Sequence, residues 1–148
     1  MEPILDSFEK KFAGKIYKER GIWLATFLGG PLAAGYMMAE NFKVFGESDK
    51  ARTAWSYAIL VMAAILGIIF FMPGADRIPN IVFPVVYAGV TNALVQNYQR
   101  KNISNHFSAG GEFFSNWRAL GIGLLIGVLF GLLFVGGAFF FTGTAGRY

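Results

Sequence analysis

The stretch 53-TAWSYAILVMAAILGIIFFM-72 holds 20 residues without a charge. At ~1.5 Å rise per residue it forms a helix ~30 Å long, the thickness of a bilayer's hydrocarbon core. It reads as a spanning helix, and it makes lipid the solvent against which the neighbouring segments are judged. Ala119 to Gly146 adds a second run, 28 residues without a charge, long enough to cross with tilt, with residues 119–141 taken as the span.

Two further apolar segments are shorter or interrupted. Ile81 to Val95 offers 15 residues before Gln96, Asn97, Gln99, Arg100 and Lys101 turn the chain polar. A third span over 80–98 that continues out of the membrane is expected, with Pro79 starting it, Pro84 in its first turns and Gly110 ending the extension. Ile22 to Ala39 is apolar but carries Gly29, Gly30 and Pro31 at its centre. These remove helix propensity and one backbone donor where lipid would be driest. The segment 22–40 is therefore either a kinked fourth span or two short arms of a re-entrant hairpin. Upstream, Ile4, Leu5, Phe8, Phe12 and Ile16 recur at helical spacing with Lys10, Lys11 and Lys18 off that stripe. Residues 1–21 are expected to hold an amphipathic helix, lying at the interface or packed on the rest of the protein.

Composition agrees with the patterning. Of 148 residues, 55% are hydrophobic and 15% charged, against roughly 45–50% and about 25% in an average soluble domain. Mean hydropathy is +0.48. The absence of cysteine excludes disulfides, thiolate metal sites and cysteine nucleophiles. The formal charge of +4 comes from bases scattered among apolar segments, without the continuous basic helix that grips phosphates, so nucleic acid is not an expected partner. The expectation is one all-α integral membrane domain over 1–148: a small bundle of three spanning helices plus the broken first apolar segment.

Counting bases separates the two readings of that segment, because Lys and Arg near span ends stay in the cytoplasm. Four crossings divide the 13 bases seven against six. If Gly29-Gly30-Pro31 turns the chain back, the division becomes eleven against two. The helix break and the charge asymmetry are independent, and both favour three crossings with a cytoplasmic N-terminus. Trp23, Trp55 and Trp117 stand at the starts of apolar segments beside Arg20, Arg52 and Arg118, as interface anchors do.

Several residue sets bear on function. Gly123, Gly127 and Gly131 form a glycine zipper that leaves one face of the last helix bare for two turns, so that another backbone can approach. Its partner is either a second copy of the chain or the 53–72 helix, whose Ala63 and Gly67 form a matching small pair. Asn92, Gln96 and Gln99 share a face of the third helix at i, i+4 and i+7. They read as helix glue, with Glu40 and Asn41 as candidate partners, or as the lining of a polar conduit. The stronger apolar runs carry no central ionisable residue, which disfavours an ion-coupled transporter. The Gly29-Gly30-Pro31 break keeps a small-ligand site open as a reading, since broken helices bind through backbone dipoles.

His106 is the single histidine, with Ser104, Ser108 and Glu112 nearby. Their spacing fits no nucleophile motif, and a polar loop explains them. One His and scattered carboxylates make no metal-ligand set, and no residue pattern calls for a cofactor.

Two stretches, Ala25-Thr26-Phe27-Leu28-Gly29-Gly30-Pro31-Leu32-Ala33-Ala34-Gly35-Tyr36 running to Asn41-Phe42, and His106 through Gly110-Gly111-Glu112-Phe113 to Trp117-Arg118, resemble small multi-pass membrane proteins of bacterial genomes that carry no assigned activity. The resemblance implies a bacterial inner-membrane setting and transfers no functional residue. The expected role is that of a non-enzymatic accessory or partner-binding subunit in the lipid bilayer. The alternative is a homo-oligomeric channel or membrane-disrupting effector.

Overall fold

The computed structural model describes residues 3–7 and 13–145. Among these there is no strand, and the elements are α1 (Glu19–Val44), α2 (Ser48–Phe71), a 3-10 turn at Ala75–Arg77, α3 (Val82–Tyr98), α4 (Arg100–Ser108) and α5 (Asn116–Ala145). Three helices are long and apolar enough, by length and composition, to cross a membrane: α1, α2 and the 116–140 part of α5. α3 has 17 residues, about 25 Å of helix.

α1 occupies the middle of the bundle. Two-thirds of its apolar window is buried by protein, against 6% for α2 and 11% for α5, and the three other long helices pack chiefly on α1 rather than on one another. Its composition explains this, because Gly21, Ala25, Gly29, Ala33, Ala34, Gly35 and Ala39 let neighbouring backbones come close.

α1 is not straight. Gly30 has φ 70° and ψ −164°, a region open essentially to glycine alone, and Pro31 follows without an N–H to continue the ladder. The backbone N–H of Tyr17 donates to Asn41 Oδ1 at 2.7 Å, and Asn41 Nδ2 donates to the Tyr17 carbonyl at 2.9 Å. A straight helix would hold residues 24 apart in sequence about 36 Å from each other. The chain therefore doubles back at Gly30, giving two arms, 19–29 and 31–44, whose open ends meet.

The neighbours record the direction of each arm. Gly21 faces Ala119, Gly29 faces Gly123 and Gly127 faces Leu28, so the first arm runs parallel to the start of α5. Gly30 lies near Met62 and Gly35 against Ala58, so the second arm runs antiparallel to α2. Between that arm and α2 the loop turns at Gly46 (φ 75°), where the Glu47 N–H closes on the Phe42 carbonyl at 2.8 Å. The tip at Gly30 thus reaches only midway along α2 and α5.

One expectation is corrected. Residues 3–7 are helical and Ile4 and Leu5 are exposed, whereas 13–18 form no helix and Phe8 and Phe12 lie outside the described residues. Ile16 pairs instead with the 112–114 segment: its N–H donates to the Glu112 carbonyl at 3.3 Å, and its carbonyl accepts from the Phe114 N–H at 2.9 Å. Ile16 and Tyr17 are fully buried by this pairing. The backbone at residues 112 and 114 and the side-chain amide of Asn41 displace the helix that the apolar spacing suggests.

Candidate functional site

Three features of the bundle bear on function: a polar knot at the open end of the α1 hairpin, a glycine seam along its first arm, and a cavity beyond its tip.

The knot is made of groups with no exposure to solvent. Asn41, on the last turns of α1, uses its amide on Tyr17 and also donates to Gln99 Oε1 at 3.2 Å. Gln99, at the break between α3 and α4, donates from Nε2 to the Met38 carbonyl at 2.8 Å. Both amides are fully buried, and each satisfied bond between helices contributes on the order of 1 kcal/mol. Asn41 is one of the two partners anticipated for the amide face of α3; the other, Glu40, pairs with Lys43 on its own helix. Gln96 reaches the carboxylate of Glu19 at 2.9 Å. Asn92 does neither. It is exposed on the outer face of α3, and its side chain has no hydrogen-bond partner among the described residues.

Tyr17 is the participant that sequence reasoning missed, since it sits in a charged stretch that resembles a solvated tail. Its ring lies 4.6 Å from that of Phe114, and its hydroxyl accepts from Arg118 Nε at 3.4 Å. Burial pushes the phenol above its ordinary value, with the Arg118 hydrogen bond opposing. Lys18 lies over the Phe113 ring at 5.0 Å and Arg118 over Phe114 at 4.4 Å, so the 112–118 segment is clamped by cation–π contacts.

The glycine seam has a different partner from the one proposed on sequence grounds. A Cβ on Gly123 would stand 2.6 Å from the Ala25 carbonyl oxygen, and one on Gly127 would collide with that of Leu28. Gly123 and Gly127 therefore receive the first arm of α1, not Ala63 and Gly67. Ala63 is exposed, and Gly67 and Gly131 have open space where a side chain would begin.

Beyond the tip lies a cavity of about 570 Å³. Its floor is Leu28, Gly29, Gly30 and Pro31. α2 contributes Met62, Ile65, Leu66 and Ile69 to the wall, and α5 contributes Gly127, Phe130, Gly131 and Phe134. Phe83 and Tyr87 of α3 complete it, with Asp76 and Asn80 at the far end. Phe130 and Phe134, on the turns around Gly131, face this space. The cavity exists because the hairpin separates the long helices and then stops. Pro31 leaves the Phe27 carbonyl without its helical donor, and the Tyr87 hydroxyl approaches that oxygen at 3.5 Å.

The His106 loop is not assembled as a nucleophile site. His106 is buried, its Nε2 lies 2.9 Å from the Glu112 carbonyl oxygen, and its ring meets Phe113 edge-on at 5.4 Å. The Glu112 carboxylate turns away to Lys15 at 3.1 Å, and Ser104 and Ser108 are exposed. Among the described residues no group of His, Asp and Glu has the spacing to hold a metal ion. Comparison with protein families, with curated proteins and with solved structures finds no match for this chain.

Proposed function

We propose that the chain is a non-enzymatic integral protein of the bacterial inner membrane, working as an accessory or partner-binding subunit. In this reading α2, α3 and α5 cross the bilayer. The α1 hairpin enters from the cytoplasmic side and returns, and the N-terminus is cytoplasmic. Charge supports the orientation. Of the ten Lys and Arg within the described residues, nine belong to the open end of the hairpin and the segments around it, and Arg77 alone to the opposite end.

The observation that carries the partner-binding role is Asn92. The fold satisfies Gln99, Asn41 and Gln96 internally but leaves this amide on the outside of a spanning helix. An unpaired amide there is unfavourable in hydrocarbon, and a helix from another subunit would satisfy it. Gly89, about one turn before, and Ala93, the next residue, are also exposed, and Gly89 has open space around it, so a second backbone has room to approach. A conduit along Asn92, Gln96 and Gln99 has less behind it, because the three amides face different surroundings.

Two measurements test the reading. The native chain has no cysteine, so single cysteines at Ser7, Ser48, Ser108 and Thr144 report sidedness to an impermeant maleimide. The first three should label from one side and the last from the other, and a Ser48 site opposite to Ser7 refutes the hairpin topology. A photo-crosslinking residue at Ala93 in native membranes should give an adduct that Asn92→Leu removes, with its mass separating a second copy from a different protein. No protein adduct from that face refutes the partner role.

A further inference from the structure

We infer that the cavity beyond the hairpin tip is a lipid site: it takes one acyl chain of a bilayer phospholipid from the leaflet opposite the hairpin's open end, with the chain terminus on Gly29–Pro31. The inference rests on the membrane placement proposed above and adds a ligand to it.

Depth, chemistry and access each point to this occupant. From Gly127 beside the tip to Phe134 near the far end, α5 advances about 10 Å, about two-thirds of the ~15 Å of one leaflet's hydrocarbon. In the proposed placement the pocket therefore lies within a single leaflet, with its floor toward the bilayer centre. Its wall is mostly Met, Ile, Leu and Phe from three helices; Asp76 and Asn80 lie at the end where a headgroup would sit, and the Tyr87 hydroxyl, at the tip end, is directed to the Phe27 carbonyl. The volume of about 570 Å³ falls within the roughly 300–1,000 Å³ of small-molecule sites. An apolar void of that size beside liquid hydrocarbon does not stay empty, since packing against a chain restores the dispersion contacts that an empty space forfeits.

Access comes from the helix arrangement. The rings of Phe70 and Phe134 meet at 5.4 Å and close the α2–α5 side, and the 72–81 connection joins α2 to α3. α3 and α5 both pack on α1 and share no extensive interface with each other. The gap between them, beyond the reach of the hairpin, is the lateral entrance.

The test is photo-crosslinking in liposomes with a phospholipid carrying a diazirine at the end of one acyl chain, adducts being mapped by mass spectrometry. The tip residues Gly29, Gly30 and Pro31 are buried, so a chain reaches them only through the cavity. Leu125 and Leu133 are exposed on α5 and report ordinary bilayer contact. Labelling of both the tip and the exposed leucines is expected. Gly131→Phe, placed where a side chain meets no other atom within 4 Å, should abolish tip labelling and leave Leu125 and Leu133 labelled, with the helical circular dichroism unchanged. Labelled leucines with an unlabelled tip in the native chain overturn the lipid site while the membrane reading stands. Unlabelled leucines overturn the membrane reading itself. Tip labelling that survives Gly131→Phe, or that free fatty acid displaces and phospholipid does not, also overturns the site as stated.

Discussion

Replacing Asn41 by leucine should open the hairpin at its base. The two side chains share one branched skeleton of four heavy atoms, so the change removes hydrogen bonds without leaving a void. Asn41 makes three bonds, accepting from the Tyr17 N–H at 2.7 Å and donating to the Tyr17 carbonyl at 2.9 Å and to Gln99 Oε1 at 3.2 Å. The residue is fully buried, so the stranded groups gain no water. A buried donor or acceptor left unmade costs about 1–3 kcal/mol. The Tyr17 N–H has Asn41 as its acceptor and should lie at the upper end of that range. The two acceptors keep a second lone pair each and should lie at the lower end. The expected loss is about 3–6 kcal/mol, a large share of the ~5–15 kcal/mol that holds a domain folded. Asn92→Leu is the control: the same chemical change on an exposed amide breaks no hydrogen bond of the fold and should leave stability unchanged or raise it. Reversible denaturation of the purified protein in mixed micelles, followed by circular dichroism, gives both values. Equal effects of the two substitutions would refute the assignment of Asn41 as the tie between the ends of the hairpin.

Two further outcomes follow from the seam and from Tyr17. Gly123→Ala should destabilise by about 1–3 kcal/mol through overpacking, because its methyl would fall 2.6 Å from the Ala25 carbonyl oxygen. Gly131→Ala, with open space at the same site two turns on, should stabilise by roughly 0.5–1 kcal/mol through helix propensity; thermal melts of the two variants in one detergent check the opposite signs. Burial raises the Tyr17 phenol in the folded state, so its contribution to stability is complete below the unfolded value near 10 and is lost as pH rises through the folded one. Melting temperatures between pH 8 and 11.5 should therefore fall more steeply for the native chain than for Tyr17→Phe, in which lysine titration is unchanged; parallel curves would refute the assignment.

Lipid makes some features of this chain legible from residues alone. The charge-free runs at 53–72 and 119–146 translate directly into the long exposed helices α2 and α5, because a spanning helix needs length and apolarity and little else. Gly29-Gly30-Pro31 marks the chain break for an equally local reason: a glycine-only φ and a missing N–H. What the break becomes is not local. Tyr17 and Asn41 meet across 24 residues, and nothing in their neighbourhoods distinguishes a tail tyrosine from a buried one. The glycine seam shows the same limit. Gly123 and Gly127 announce that a backbone will come close without naming it, since Ala63 and Gly67 on α2 are as small as Ala25 and Gly29 on α1. The first arm of α1 wins because the hairpin lies between α2 and α5 and keeps them apart.

That separation also explains why the two halves of the bundle differ. Between the open end and the tip, the hairpin gives every long helix a protein surface to pack on, and Asn41, Gln96 and Gln99 find partners there. Past the tip the same helices are spaced for a hairpin that has ended; there Phe70 meets Phe134, and the Tyr87 hydroxyl lies near the stranded Phe27 carbonyl. A longer first segment would fill the space with its own side chains. Stopping midway leaves broken backbone facing a largely apolar chamber. The polar amide left over by this packing, Asn92, sits on the outer face of α3, which forms one side of the gap into that chamber.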